Sequence, residues 1–343
     1  MDEPILTARG LTKLFPIRKG LLSFREPDTF VHAVEDVDME IYRSEILGLV
    51  GESGCGKTTV GRLLTRLEHP TRGSIIFMGA DIAGLHKREL KQFRRRMQMI
   101  FQDPYESLNP RFTVAQAVGD PLVVHEPDLP EEEREARIIR ALEDAGLRPA
   151  GEIMGRFPHE LSGGQRQRVA IARALVVDPM FIVADEPVSM LDVSIRAGVM
   201  NLMLDLRNKY GIPYLFITHD VAVARYMSDR IGVMYLGKIV EIAPADELIF
   251  RPAHPYTRAL LSAVPVPDPD HVREEVAIKG DVPSPINLPP GCRFRQRCPH
   301  AQDLCSSPDI QMVEVADGHR VLCWFAEQFY GEVSGVEMPE PAG

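Results

Sequence analysis

Residues Gly51-Glu52-Ser53-Gly54-Cys55-Gly56-Lys57-Thr58 fit the pattern G-x-x-x-x-G-K-[ST], a spacing suited to wrapping a chain of phosphates. Glycines let successive amides curl inward, so that several N–H donors meet the same oxygens. Lys57 adds a full positive charge, and the helix-competent run 59–67 brings a helix N-terminus to the same place. The Thr58 hydroxyl is suited to Mg²⁺. The bland alternative is a glycine-rich turn followed by an exposed lysine, and average glycine usage makes such a chance match rare. The apolar strand pattern at 46–50 and the helical run behind favour the phosphate cradle. Ser53, Gly54, Cys55, Gly56, Lys57, Thr58 and Thr59 are therefore the expected nucleotide contacts, and Cys55 is given no redox role.

A second group of residues supplies what phosphate-bond cleavage needs. The apolar run 181–184 ends in Asp185 and Glu186. Beside a phosphate cradle, Asp185 is placed to hold Mg²⁺, usually through water, and Glu186 to orient and deprotonate an attacking water. The run 214–218 delivers His219, read as a hydrogen-bond donor to the terminal phosphate, although a packing histidine is as common there. Gln102 follows the run 97–101, and its amide can reach the metal or the water. A second Gly-rich turn, Leu161-Ser162-Gly163-Gly164-Gln165, opens another helical stretch and forms a second anion-binding end. Ser162 is also simply a good N-cap. One nucleotide meets both cradles only if they face each other, which invites a head-to-tail dimer.

The elements that position these residues alternate. Runs 45–50, 74–77, 97–101, 181–184, 214–218 and 231–235 read as strands, several of them apolar on both faces, separated by helical segments. That pattern predicts an α/β fold with a mostly parallel sheet, and 231–238 adds a hairpin and a small antiparallel portion. Residues 103–177 read as a helical insertion, with helices at 129–146 (Pro130 in the first turn, Gly146 as C-cap) and 162–177. Nine of the 28 prolines fall between Pro252 and Pro290, marking a boundary before a C-terminal region. Residues 331–343 read as a polar tail.

Taken in order, Gly51–Thr58, Gln102, Leu161–Gln165, Phe181–Glu186 and His219 resemble the ATP-binding subunit of an ATP-binding-cassette transporter. The resemblance implies a RecA-like P-loop NTPase core (about 1–102 and 178–250), a helical subdomain (about 103–177) and an ATPase domain ending near 260. It makes Ser162, Gly163, Gly164 and Gln165 the signature that acts in trans, Ser189-Met190-Leu191-Asp192 the dimer-contacting loop and His219 the switch histidine. Phe15 matches the aromatic that stacks on adenine, with about fifteen residues inserted after it (16–30). Gln102-Asp103-Pro104, Ser107-Leu108-Asn109-Pro110-Arg111, Glu186-Pro187-Val188-Ser189, His254-Pro255-Tyr256-Thr257-Arg258-Ala259-Leu260 and Ser284-Pro285-Ile286-Asn287 are similar to the oligopeptide, dipeptide and nickel importer branch, and the insertion points to its F-type paralogue. That branch implies ATP and Mg²⁺ as ligands, a paralogous ATPase subunit, two membrane permease subunits and an extracytoplasmic solute-binding protein. The chain would then sit peripherally on the cytoplasmic face of the plasma membrane and power peptide import. Nickel or another small solute, and a non-transport cassette ATPase, are the alternatives. Residues 103–111, just past Gln102, are the expected contact with the permeases.

Four of the five cysteines, Cys292, Cys298, Cys305 and Cys323, lie in the last 52 residues with spacing C-x5-C-x6-C-x17-C. Free buried thiols, Zn²⁺ and an iron–sulfur cluster are the choices in a cytosolic chain. The wide spacing suits a cluster better than zinc, which recruits tighter pairs, and the family resemblance points to [4Fe–4S]. Arg293, Arg295, Arg297 and Arg320 stand nearby to offset its charge. The composition is that of a globular chain: 343 residues, 45% apolar, 26% charged, with apolar runs too short to span a bilayer. No secretory signal is visible at the N-terminus. A net charge of −10 disfavours nucleic acid as a partner while leaving room for one polyanion in a local pocket.

Overall fold

The run Ile-Leu-Gly-Leu-Val, apolar at every position, forms β3 (Ile46–Val50), the strand that delivers the phosphate loop. In the computed structural model, which describes residues 3–17, 29–263, 278 and 280–331, β3 pairs in parallel with β8 (Tyr214–Ile217) on one side and β9 (Arg230–Tyr235) on the other. The sheet continues in parallel through β7 (Phe181–Asp185) to β6 (Met97–Ile100). Five buried strands, nearly free of polar side chains, are what a sheet covered on both faces requires.

On the other flank β9 turns through Leu236 and Gly237, both at positive φ (41° and 84°), into antiparallel β10 (Lys238–Pro244). Two residues in that conformation match the twist of a hairpin, the arrangement read from the sequence. The C-terminal region, set off in the sequence by its prolines, is tied to this sheet. Its strands β11 (Val313–Ala316) and β12 (His319–Val321) extend the same sheet, with β12 pairing to β10. Among the described residues the order is β11-β12-β10-β9-β3-β8-β7-β6.

A second, antiparallel sheet has the order β2-β1-β4-β5, from β1 (Leu6–Pro16), β2 (Phe30–Ile41), β4 (Arg72–Phe77) and β5 (Ala80–Asp81). The helix that leaves the phosphate loop, α1 (Lys57–Leu64), is packed between the sheets. Its Val60, Leu63 and Leu64 meet Leu6, Ile75 and Phe77 of the small sheet and Val183, Leu215 and Ile217 of the large one. Burial on both sides fixes the position of the helix N-terminus.

After α2 (Lys87–Arg96) and β6 come α3 (Pro104–Ser107), α4 (Val114–His125), α5 (Glu131–Asp144) and α6 (Gly163–Leu175), with no described strand before β7. Thr113 and Gln116 close a capping box on α4, while Pro130, expected in the first turn of α5, is its N-cap. Val118, Leu122, Leu142, Val169 and Ile171 join Ile182, Ala184 and Phe216 of the sheet and Val199 and Met203 of α7 (Val193–Tyr210) in one core. Beyond α8 (Val221–Met227), α9 (Ala245–Phe250) and α10 (Pro255–Ser262), a third core joins Tyr235, Tyr256, Phe294 and Cys298. A fourth gathers Val321, Cys323 and Phe329, the last on α11 (Ala326–Tyr330). The carboxylate of Glu241, fully buried on β10, accepts the N–H groups of Ala253 (2.7 Å) and His254 (3.0 Å) and contacts His319 Nε2 at 2.7 Å, fastening β12 to the sheet. Most of the insertion at 16–30, the prolines at 265, 267 and 269 and the tail 332–343 lie outside the described residues.

Candidate active site

The loop after β3 has the curl its glycines allow. Gly51, Gly54 and Gly56 have φ of 152°, 77° and 111°, and Gly56 is the N-cap of α1. A Cβ on Gly56 would stand 2.1 Å from the Ala33 carbonyl oxygen, and one on Gly51 2.2 Å from that of Met234, so neither position admits a side chain. Lys57 is buried and donates through Nζ to the carbonyls of Gly51 (2.7 Å) and Glu52 (3.0 Å), reaching back across the mouth of the loop.

Thr58 Oγ1 donates to Asp185 Oδ1 at 3.1 Å, so a hydroxyl from the helix and a carboxylate from the end of β7 form one pair of hard oxygen ligands. Burial raises the Asp185 pKa; the Thr58 hydrogen bond counters this and the adjacent Glu186 charge adds to it. A divalent cation would reverse that pressure. Glu186 follows at φ 45°, an uncommon conformation for a residue with a side chain, held by its N–H donating to Ile217 O (2.9 Å) and its carbonyl accepting from Ser189 Oγ (3.0 Å). Its Oε2 accepts from Gln102 Nε2 at 3.1 Å and lies 3.1 Å from His219 Nδ1. Three strand ends, β6, β7 and β8, thus deliver Gln102, Glu186 and His219 to one point, where strand termini of a parallel sheet characteristically form sites.

A cavity of about 490 Å³ unites Ser53, Gly54, Gly56, Lys57, Thr58, Thr59, Gln102, Glu186 and His219. The Cys55 side chain does not line it; it packs into the core below, and burial raises the thiol pKa. Phe15 is not among the lining residues either. Its strand partner Val31 is, while the Phe15 ring carries the Lys13 ammonium 4.8 Å from its centroid. Three lining residues were not singled out in sequence for this role: Val31, Ala33 and Pro285. The Ser284–Asn287 phrase was noted, but its bridge to β2, with Pro285 O accepting from His32 N at 2.9 Å, carries no local signal.

The turn 161–165 lies outside this cavity. Ser162 is the N-cap of α6, accepting from Gln165 N (3.3 Å), and the Gln165 side chain accepts from Ser162 N (3.0 Å). Gly164 is closed against α7, since a Cβ there would meet Ile195 Cγ2 at 2.5 Å. Met190, in the loop that follows Ser189, and Val193, the first residue of α7, are 64% and 81% exposed and leave an apolar surface uncovered.

Cys292, Cys298, Cys305 and Cys323 line one small enclosed cavity, together with His254, Phe294 and Arg295, and no disulfide joins them. Burial pushes Cys292 up to about 11 and Cys323 up to about 12, with the neighbouring thiols adding to both. Among the described residues no group of three or more His, Cys, Asp or Glu is arranged to hold a metal ion. Arg293 and Arg297, expected to offset charge at the cysteines, pair instead with Glu35 (2.6 Å) and Glu52 (3.0 Å).

A glycine-rich loop closed by Lys57 at the N-terminus of α1, beside Thr58, Asp185 and Glu186 at the end of a parallel strand, is the arrangement of a P-loop protein. Family models agree: "ABC transporter" matches residues 34–189 and "Oligopeptide/dipeptide transporter, C-terminal region" matches 240–305. The chain is 50% identical over 322 residues to a putative peptide import ATP-binding protein of Brucella ovis, covering 94% of this chain and 98% of that one. It is 48% identical over 325 residues to the oligopeptide transport ATP-binding protein AppF of Bacillus subtilis, covering 94% and 97%. The ATP-binding cassette MJ0796, solved as a dimer in a post-hydrolysis state with ADP and Pi, superposes with a TM-score of 0.61 at 29% identity, over 70% of this chain and 98% of that one. The chain belongs to the ATP-binding-cassette ATPases of peptide transporters.

Proposed function

We propose that the protein hydrolyses ATP to power the import of peptides through separate membrane subunits, in a head-to-tail dimer that closes on nucleotide. The single observation that carries this reading is the convergence of Lys57, Thr58, Gln102, Glu186 and His219 on one cavity. Residues 51–59 wrap the triphosphate with amides, with Lys57 moving its ammonium from the loop carbonyls to phosphate oxygens. Thr58 and Asp185 hold Mg²⁺, with Gln102 nearby; the cation supplies charge neutralisation at the phosphates. Glu186 takes a proton from the attacking water, and Gln102 and His219 fix the carboxylate and contact the terminal phosphate. The turn 162–165 of a second ATPase subunit covers the nucleotide, which explains why it is absent from the cavity of its own chain. Nothing in the cavity distinguishes peptides from nickel as cargo; the names of the relatives favour peptides.

Among the described residues no helix is long and apolar enough to cross a membrane. Membership of the peptide-transporter ATPases supports permease partners and a solute-binding protein, with this chain peripheral on the cytoplasmic side. A groove of about 200 Å³ between β6 and the helical block, lined by Phe101, Ser107, Pro121 and Ala174, adjoins Gln102 and fits the permease contact. We further assign a [4Fe–4S] cluster to the four cysteines. Its support is the donor chemistry, four thiols lining one cavity. Anaerobic preparation is expected to give a brown chain with about four irons; an iron-free, colourless chain overturns the assignment.

The decisive experiment on hydrolysis is Glu186→Gln. ATP binding is expected to persist while turnover falls by about 100-fold or more. Turnover near that of the unmodified chain would remove Glu186 as the base.

A further inference from the structure

Glu52 is held at all three of its polar groups. Its N–H donates to Tyr256 Oη at 3.0 Å, its carbonyl accepts from Lys57 Nζ at 3.0 Å, and its carboxylate oxygens lie 3.1 and 3.0 Å from Arg297 Nη1. Two of these anchors come from the C-terminal third of the chain. We propose that Arg297 is a positioning residue for the phosphate loop, holding it through Glu52 in the curl that receives nucleotide. The proposal rests on the reading of residues 51–58 as the phosphate cradle.

The guanidinium is itself held firmly. Arg297 is 8% exposed, its Nη1 also donates to Tyr235 Oη at 3.5 Å, its backbone N–H donates to Phe294 O at 2.9 Å, and Phe294 packs against Tyr235 and Tyr256 with ring centroids 5.4 Å away in each case. Phe294 also lines the four-cysteine cavity, so the turn that carries the thiols is the turn that carries Arg297. A second tie runs parallel to the first. Arg293 contacts Glu35 at 2.6 Å, Glu35 contacts His32 at 2.6 Å, and the His32 N–H donates to Pro285, which lines the nucleotide cavity. Neither arginine touches the place where phosphates bind. Arg297 therefore acts on the order of the loop: without it, the loop has to be arranged at the moment of binding, which weakens affinity and leaves the step at Glu186 untouched.

In the full-length chain, Arg297→Ala and Glu52→Gln are each expected to raise the Kd for a fluorescent ATP analogue and the KM for ATP about tenfold, with kcat at saturation within about twofold. The double variant is expected to be no worse than either single one, and Arg297→Lys to restore part of the affinity. Should Arg297→Ala fail to fold, Glu52→Gln carries the test, because it keeps the shape of a side chain that is only partly buried. Unchanged Kd and KM in Glu52→Gln, beside lost binding in Lys57→Ala, overturn the proposal and leave the cradle intact. A fall in kcat with KM unchanged also overturns it. Retained binding in Lys57→Ala overturns the cradle reading itself.

Discussion

Lys57 satisfies its ammonium on the carbonyls of Gly51 and Glu52, so the loop carries its own internal brace. A triphosphate offers charged acceptors in place of neutral ones, and charge-assisted hydrogen bonds are roughly twice as strong. Exchange is favourable because the loop keeps its shape through Tyr256 and Arg297 while Lys57 leaves. Glu186 shows the complementary economy: a left-handed conformation costing about 1–3 kcal/mol, held in place by Ile217 and Ser189, sets the carboxylate between Gln102 and His219. That strain is why Glu186→Gln, which keeps the shape and removes the base, is a cleaner probe than a truncation. That Lys57, Thr58, Gln102, Glu186 and His219 share one cavity was legible in the sequence, because residue type and spacing at strand ends carry that signal. The directions of Arg293 and Arg297 were not. An arginine beside a cysteine suggests charge compensation, but only the packed turn places each guanidinium on a carboxylate of β2 or of the loop.

At the scale of elements, α1 has to lie close enough to the sheet for its N-terminus to meet β3 and β7. Gly61 is where that closeness is set: a Cβ would stand 2.7 Å from Val183 Cγ1 and 3.1 Å from Ile217 Cδ1. Gly61→Ala should gain helix propensity, yet overpacking against two buried side chains is expected to dominate, costing about 1–3 kcal/mol. Urea unfolding midpoints check this, with Gly84→Ala, which meets nothing within 4 Å, as the neutral control. Parallel strands β3, β6, β7 and β8 were legible because burial keeps them almost wholly apolar, with Gln98 of β6 and the terminal Asp185 of β7 as the exceptions. β1 and β2 escaped that reading, as their antiparallel pairing leaves polar residues such as Lys13, Glu35 and Asp38 along the strand. The hairpin β11–β12 escaped it for another reason: its attachment depends on Glu241 and His319, two buried polar groups that hydropathy assigns to the surface.

For the whole molecule, the proposed head-to-tail arrangement is supported by a mismatch within one chain. The cavity gathers Lys57, Thr58, Gln102, Glu186 and His219, yet the chain's own Gly-rich turn at 162–165 is elsewhere. Met190 and Val193 expose apolar surface that a second ATPase subunit would cover. Each subunit then brings a cradle and a lid for the other's cradle, and nucleotide is the adhesive. Association should therefore require ATP and should persist when hydrolysis is blocked. In Glu186→Gln with Mg²⁺ and ATP, sedimentation velocity is expected to show a species of twice the protomer mass, formed by the chain alone or with its paralogue, that vanishes in the absence of nucleotide. Adding Ser162→Arg places a long cation where the partner's phosphates must approach. This variant should lose the doubled species while each single chain keeps its nucleotide affinity, since Ser162 does not line the cavity of its own chain. An ATP-dependent dimer that survives Ser162→Arg would place the contact on another face and separate the two cradles for good.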